Sequence, residues 1–338
     1  MQFNKSKLFE LSNKKLLADI LNIEKKSLKN VALEFVPYKL PPQLSTINGK
    51  QRDLYNPNEE HKKALRKLVK LLMQVELPSY VFGGIKEKSH IQNAFVHKQN
   101  KYLMLIDIQN FFPSTLDSYV YDLFKRKFQM ESDLAKILTD FVTIQCETKE
   151  GRYLPQGYPT SPILSYLAYA DMYNELEALA VENGMSFSCY YDDLTFSSNK
   201  FINKSLKRKC SQIIEKYQFI IHPSKSKLIV KKGVEVTGVF LDDLGNFKAP
   251  KKLLKKLQKS YDKVKEMNEN PSGFTKNNFV DELNRLQGLI AAVKSIENNR
   301  KVELFLNELK YIRKKYNVPY RKNEMKKYFK TEHASLIR

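Results

Sequence analysis

Met185-Ser-Phe-Ser-Cys-Tyr190-Tyr191-Asp192-Asp193-Leu-Thr-Phe-Ser-Ser198 is the stretch from which the fold class of this chain can be argued. Its alternation predicts two short strands that meet at a turn around Tyr191, Asp192 and Asp193. Two adjacent carboxylates at a hairpin tip repel one another unless a cation neutralises them. Adjacent acids at a strand end are most often solvated turn residues, so the interpretation depends on the rest of the chain.

A third carboxylate lies 85 residues upstream, at the end of another apolar run. Leu103-Met-Leu-Ile-Asp107-Ile-Gln-Asn-Phe-Phe112 follows Tyr102, and residues 102–108 predict a buried strand that delivers Asp107. Between the two acidic sites lies Leu154-Pro-Gln156-Gly157-Tyr-Pro-Thr-Ser-Pro162, which opens a predicted helix. Carboxylates that separate strands bring together could be neutralised by divalent metal ions.

The order of these three segments resembles the palm of reverse transcriptases. Asn93-Ala-Phe-Val-His97, Val236-Thr-Gly238 and Leu286-Gln-Gly-Leu-Ile-Ala-Ala-Val-Lys-Ser-Ile296 resemble elements of the retron members of that family. The resemblance implies an α+β right-hand polymerase fold, with fingers and palm made of an antiparallel sheet plus helices, and a helical thumb. The implied domains are 1–100 (N-terminal helices and fingers), 101–240 (palm, with a fingers segment at about 115–160) and 241–338 (basic helical thumb and tail).

The resemblance also implies a set of site residues. Two Mg²⁺ ions, with Mn²⁺ as a substitute, would be held by Asp107, Asp192, Asp193 and the backbone of Ile108, and the three aspartates would be catalytic. Phe112 would exclude a ribose 2′-hydroxyl and so favour deoxynucleotides. Either Lys225 or Lys227 would assist the leaving pyrophosphate. The nucleotide-binding set is Lys50, Arg52, Asn110, Phe111, Phe112, Gln156, Gly157, Lys225 and Lys227.

The charge of the chain predicts a polyanionic partner. The formal net charge is +21, and residues 246–338 hold 23 Lys and Arg against 10 Asp and Glu. Solvated Lys-rich helices are the alternative explanation of these C-terminal cations. The predicted RNA contacts are Asn93, His97, Lys251, Lys252, Lys255, Lys256, Arg313 and Lys314. The implied partners are a cognate noncoding RNA that serves as primer and template, its DNA product, deoxynucleoside triphosphates and a separate effector protein.

Composition also bears on the setting. The three cysteines have no disulfide or zinc spacing, and no apolar run is long enough for a signal peptide or a membrane span, which favours a bacterial cytoplasmic protein with no membrane partner. The function that the resemblance to retron enzymes implies is reverse transcription of that RNA into RNA-linked single-stranded DNA from a 2′,5′ branch, in antiphage defence. A diversity-generating or abortive-infection reverse transcriptase, and an inactive RNA-binding scaffold, remain alternatives.

Overall fold

The computed structural model describes residues 1–47, 49–146, 151–230 and 233–320. The chain divides into two compact units, Met1–Val230 and Lys231–Arg338, and each has its own apolar core. Residues 147–150, within the predicted fingers segment, and residues 321–338, within the predicted thumb and tail, lie outside the described residues. None of the described helices is both long and apolar enough to cross a membrane.

The first unit mixes helices with a central sheet. Its α-helices are α1 (Lys14–Leu21), α2 (Val31–Glu34), α3 (Pro42–Ser45), α4 (Glu59–Leu72), α5 (His90–Phe95), α6 (Asp117–Asp122), α7 (Ser132–Val142), α8 (Ser161–Ala168), α9 (Ala170–Glu182) and α10 (Lys204–Lys216). Its strands are β1 (Tyr38–Lys39), β2 (Thr46–Ile47), β3 (Lys50–Gln51), β4 (Tyr55–Asn56), β5 (Tyr102–Asp107), β6 (Ile144–Gln145), β7 (Arg152–Tyr153), β8 (Ser186–Tyr190), β9 (Asp193–Ser198) and β10 (Lys227–Val230). Short 3₁₀ turns span Phe3–Lys5 and Lys25–Lys29, and a π-helical turn spans Leu123–Lys127.

The second unit contains strands as well as helices. Its described elements are β11 (Val234–Val236), β12 (Val239–Leu241), β13 (Phe247–Lys248), α11 (Lys251–Glu269), a 3₁₀ turn (Pro271–Gly273), α12 (Lys276–Ile296) and α13 (Glu303–Lys315). The three strands pair with one another in the order β11-β12-β13. For this reason residues 234–248 belong to the second unit, whereas the predicted domain boundary falls at residue 240.

The sheet of the first unit has four antiparallel strands in the order β10-β5-β9-β8. The central strand β5 is apolar up to its last residue, Asp107, and its Leu103, Met104 and Ile106 side chains are buried. In the register of β5 with β9, Asp107 stands opposite Asp193. Side chains directly opposite in an antiparallel pair lie on the same face, so the two carboxylates share one face of the sheet.

Several elements that the sequence predicts are confirmed, including helices that it predicts over residues 59–75 after Asn58 and from Asn203 to about Tyr217. Helix α4 begins where Asn58 caps it, the Asn58 side chain accepting a hydrogen bond from the His61 backbone N–H at 2.8 Å. Strand β5 and the β8–β9 hairpin lie within the predicted stretches, and α10 follows its cap Asn203. The periodic spacing of buried residues was a sufficient signal for each of these elements.

Two predicted elements differ in the structure. The single helix expected after Pro162 is two helices, because the helical conformation is interrupted at Tyr169 between α8 and α9. The apolar run over residues 219–222 also predicts a strand, and this strand does not form. Its backbone instead makes an isolated bridge between Ile221 and Ile108, and its amide at His222 donates to the Asp107 carbonyl. Apolar periodicity continues through the interruption at Tyr169, and in a run as short as 219–222 it does not distinguish a strand from an isolated bridge.

Candidate active site

The catalytic hairpin, defined here as β8, β9 and the two residues between them, carries two of the three aspartates. Asp193 is the first residue of β9, and Tyr191 and Asp192 form the turn. The Asp192 carbonyl accepts a hydrogen bond from the Ile108 amide at 3.1 Å, which joins the turn to the end of β5. All three predicted aspartates therefore converge at one end of the sheet.

The turn has a strained backbone at its first residue. Tyr191 has φ 58°, a left-handed conformation that hairpin turns of this length usually give to glycine. Its surroundings hold it there. A Cβ on Gly83 would lie 2.6 Å from the Tyr191 backbone nitrogen, and a Cβ on Gly84 would lie 3.0 Å from the Tyr191 hydroxyl. These two glycines are thus the surface against which the turn packs.

Asp107 is fixed through its backbone and its side chain by the turn at residues 222–226. Its amide donates to the Ser226 hydroxyl at 3.2 Å, and its carbonyl accepts from the His222 amide at 2.8 Å. The Lys225 ammonium donates to both carboxylate oxygens of Asp107, at 2.8 and 2.7 Å. Of the two candidate lysines, Lys225 is the one that reaches an aspartate, whereas Lys227 is exposed on β10 opposite Leu105.

The site holds more negative charge than its surroundings neutralise. Burial raises the pKa of Asp192, and the charge of Asp107 raises it further, while Lys225 and Arg52 oppose these effects. Burial raises the pKa of Asp193 to about 7, with Asp192 and Asp107 adding to the rise. Such a site favours the binding of a cation.

The donor set fits a hard divalent cation. Carboxylate oxygens are the ligands that Mg²⁺ and Mn²⁺ take in proteins. Within the described residues no group of three or more His, Cys, Asp or Glu side chains is gathered closely enough to hold a metal ion. The side-chain ammonium of Lys225 lies on Asp107 instead and supplies a positive charge there. A metal ion would compete with this ammonium for the same oxygens.

The predicted nucleotide residues that follow Asp107 form a tight turn. Asn110 has φ 50° and is exposed, and its carbonyl accepts from the Ser114 amide at 2.8 Å. Phe111 is buried, so it contributes to the core. Phe112 is partly exposed and its ring centre lies 6.4 Å from that of Tyr191. The structure therefore places Phe112 beside the turn that carries the aspartates.

The loop at Gln156 and Gly157 is joined to the predicted fingers segment. The Gln156 carbonyl accepts from the Tyr55 amide at 2.8 Å. Gly157 has φ 111°, and a Cβ there would lie 2.2 Å from the Tyr55 carbonyl oxygen, so only glycine permits this approach. Lys50 and Arg52 are exposed in and after β3, and Arg52 is close enough to lower the pKa of Asp192.

Asn93 and His97 are fully buried beneath the sheet, which leaves their side chains no surface for direct contact with RNA. The His97 ring nitrogens are each 2.7 Å from a serine hydroxyl, Ser197 on β9 and Ser188 on β8. Burial lowers the pKa of His97 to about 3, so the ring is neutral. His97 therefore joins the two strands of the catalytic hairpin from below.

The predicted RNA contacts in the second unit divide into exposed and buried residues. Lys251, Lys252, Lys255 and Lys256 are exposed on α11, and Lys314 is exposed on α13. Arg313 is buried, and its guanidinium donates to the Asn284 side-chain oxygen at 2.9 Å and the Pro319 carbonyl at 2.8 Å. Those bonds give Arg313 a structural position, because its charge faces the protein.

Sequence reasoning missed three contributors to the site. Ser226 orients Asp107, and Gly83 and Gly84 receive Tyr191. The consecutive glycines were a visible signal, since paired glycines mark close backbone approach. No sequence signal identified Ser226, whose role depends on pairing between strands far apart in the chain.

Comparison with known proteins gives consistent results. A family model described as reverse transcriptase (RNA-dependent DNA polymerase) matches residues 42–241. The retron Se72 reverse transcriptase of Salmonella heidelberg (strain 579083-10) is 27% identical over 242 residues, which cover 67% of this chain and 60% of that protein. The retron Mx162 reverse transcriptase of Myxococcus xanthus is 26% identical over 272 residues, covering 70% of this chain and 55% of that protein.

This chain spans between half and two thirds of the length of these relatives. Another relative, the retron Ec83 reverse transcriptase of Escherichia coli, is 28% identical over 173 residues, covering 50% of this chain and 54% of that protein. Among solved structures, that of apo telomerase from Candida tropicalis, truncated from its C-terminal domain, matches with a TM-score of 0.43 and 12% identity over 67% of this chain and 59% of that one. A match at that level adds no argument here.

Asp193→Asn is expected to stabilise the metal-free protein, and more so at about pH 8 than at about pH 5. The pKa of Asp193 rises from 3.8 to about 7 on folding. The contribution of the protonated side chain to the free energy of unfolding is therefore fully present below pH 3.8. It is lost as the pH rises through 7. Asparagine removes this dependence and should gain about 1–2 kcal/mol at about pH 8. Urea unfolding with a chelator present measures it.

The control for this change is Asp243→Asn, at an exposed aspartate of the second unit. It should leave the pH dependence of stability unchanged. A gain from Asp193→Asn that is equal at both pH values would contradict the electrostatic explanation.

His97→Leu is expected to destabilise the protein by about 2–4 kcal/mol, because the buried Ser188 hydroxyl loses its His97 partner and the Ser197 hydroxyl keeps only its bond from Asn100. In a Ser188→Ala/Ser197→Ala background the same change should cost less, since no hydroxyl is left unpaired. A double-mutant cycle from urea unfolding measures this coupling. Equal costs in the two backgrounds would mean that the histidine acts by volume alone.

Proposed function

The chain belongs to the reverse transcriptase (RNA-dependent DNA polymerase) family, and on that premise we propose that it is an RNA-directed DNA polymerase. The observation that carries the proposal is the convergence of Asp107, Asp192 and Asp193 at one end of the sheet, where Asp107 and Asp193 are cross-strand partners. A catalytically inactive scaffold would have no need to keep three repelling carboxylates together.

Divalent metal is the cofactor that this arrangement suits, and we propose Mg²⁺. Asp107 and Asp192 would hold two ions, with Asp193 and the Ile108 backbone beside them. Bound metal supplies activation of the attacking hydroxyl and neutralisation of the leaving pyrophosphate. The Lys225 ammonium lies 2.7 Å from an Asp107 carboxylate oxygen, and once metal displaces it there it would donate to that leaving group.

The other proposed roles concern the incoming deoxynucleoside triphosphate. Phe112, beside Tyr191, would limit the space at the sugar and exclude a 2′-hydroxyl. Backbone amides at the turn around Asn110 would meet the phosphates, as amides at such turns do. Arg52, and Lys50 less directly, would bring positive charge to the triphosphate from the fingers side. Gln156 and Gly157 would form the floor of the pocket.

The names of the relatives support a proposal for the template and the product. Each of the curated relatives described above is named a retron reverse transcriptase. We propose that this chain uses a structured noncoding RNA as primer and template, and that it makes single-stranded DNA joined to RNA by a 2′,5′ branch. A separate effector protein and a role in antiphage defence complete the proposal. Within the described residues none of the three cysteines forms a disulfide, which suits the reducing cytoplasm of a bacterium.

Asp192→Asn and Asp193→Asn are each expected to abolish Mg²⁺-dependent DNA synthesis, by at least a hundredfold, and to leave RNA binding within a fewfold. The reason is that each change removes charge that the metal requires, with no loss of the basic surfaces. Primer extension and filter binding measure the two effects. Asp243→Asn is the matched control. Full synthesis by both variants would remove the metal assignment.

DNA isolated from cells that carry the gene and its upstream flank is expected to retain a short RNA after ribonuclease treatment, because a 2′,5′ linkage resists cleavage. A debranching enzyme should release that RNA. Gel mobility before and after debranching measures the linkage. A DNA with a free linear 5′ end would favour a diversity-generating or abortive-infection enzyme instead. Absence of any DNA, with RNA still bound, would favour an inactive scaffold.

A further inference from the structure

Helix α4 carries a stripe of cations on the side opposite its buried face. The stripe, defined as Lys63, Arg66, Lys67 and Lys70, follows the helical spacing i, i+3, i+4, i+7. We propose that this stripe binds the phosphate backbone of RNA at a second contact, separate from the polymerisation site. The inference rests on the proposed function for the choice of RNA.

The stripe stands on a rigid support. The opposite face of α4 is buried through His61, Ala64, Leu65, Leu68 and Leu72, none more than 1% exposed. The helix is also capped at its start by Asn58. Cations on a fixed helix lose little freedom on binding beyond that of their own side chains, which favours them as a binding surface.

The cations of the stripe differ in their ion pairing from a neighbouring lysine on the same helix. In the described part of the chain none of the four forms an ion pair, whereas the neighbouring Lys62 pairs with Glu59. Lys63, Arg66 and Lys70 are exposed and Lys67 is partly so. Placing four positive charges on one helix face without ion-pair partners is unfavourable for folding by itself, so the arrangement suits an external anion.

A groove runs beside the stripe. It has a volume of about 430 Å³ and is bounded by the stripe, by Leu21 and Asn22 at the end of α1, and by Ala64. Glu60 is the one acidic side chain on its lining within the described residues. A concave surface with four cations and one acid concentrates negative charge more strongly than a flat one.

The dimensions suit a nucleic-acid strand. Lys63 and Lys70 are seven residues apart, which is about 10 Å along the helix. A duplex strand carries one phosphate for about 3.4 Å of its axis, so the stripe spans on the order of three phosphates. A lipid surface fits less well, because membrane-binding helices set exposed apolar residues beside their cations. No α4 residue is among the exposed large apolar side chains of the described chain.

The stripe faces away from the nucleotide loop. His61 packs its ring against Tyr158, with centroids 5.0 Å apart, and Tyr158 follows Gly157. At 3.6 residues per turn the stripe is centred about 190° around the helix from His61. RNA bound there would lie outside the polymerisation site, so the stripe would anchor a distant part of a structured RNA.

The test uses the full chain with Lys63→Gln, Arg66→Gln and Lys70→Gln combined, and a labelled RNA hairpin as the probe. Affinity measured over a series of KCl concentrations should fall about tenfold at low salt. The slope of log affinity against log salt should shrink by about 2 units, at ~0.7–0.9 for each lost contact. Incorporation of a nucleotide on a short primer–template at saturating concentration should be unchanged.

The matched control removes three other exposed cations of the first unit, Lys26, Lys86 and Lys216, which pair with Glu24, Glu87 and Glu175. It makes the same change of net charge and should leave the slope unchanged. Equal slopes for the two triple variants would overturn the inference, as would binding of anionic lipid vesicles that the stripe variant loses while RNA binding stays intact. Absence of synthesis by the wild-type chain would count against the proposed function alone, because the salt slope does not depend on chemistry.

Discussion

The interaction on which the rest of the first unit depends is the repulsion among Asp107, Asp192 and Asp193. Burial, and then the charge of the neighbouring carboxylates, raises the pKa of Asp192 and Asp193, so the charged forms of these groups are unfavourable in the folded chain. The structure offsets that cost locally. Lys225 neutralises Asp107 through two hydrogen bonds, and Arg52 adds a weaker positive potential at Asp192. The remaining negative charge would favour the binding of the divalent cation proposed above.

The three aspartates stay together only if the register of the strands that carry them is fixed. A shift of one residue between β5 and β9 would move Asp193 to the other face of the sheet. His97 opposes the corresponding shift within the catalytic hairpin, because it is bonded to one serine on β8 and one on β9. At the other end of the hairpin, Gly83 and Gly84 hold the strained turn at Tyr191, a conformation that costs about 1–3 kcal/mol. The register and the turn are thus fixed independently.

Much of this frame follows from the sequence, and the missing parts share a physical cause. Helix α4, strand β5 and the catalytic hairpin are local patterns, so periodicity predicts them, and the three aspartates follow from their positions on those elements. The choice of Lys225 over Lys227 and the burial of His97 depend on pairing between segments about 90 to 120 residues apart. Residues 234–248 have strand character in the sequence, but only their pairing with one another assigns them to the second unit.

The charge of the chain is the last element that the structure clarifies. A net charge of +21 indicates only that a polyanion is the partner. In the structure these cations fall into distinct classes. Lys225 serves the aspartates, Arg313 is used inside the second unit, and the exposed lysines of α11 and the stripe on α4 remain for an external anion. Because the buried face of α4 packs toward the loop of Gly157, the stripe is directed elsewhere. Each unit therefore presents exposed cations of its own, and the proposed RNA partner supplies the phosphates that such cations bind.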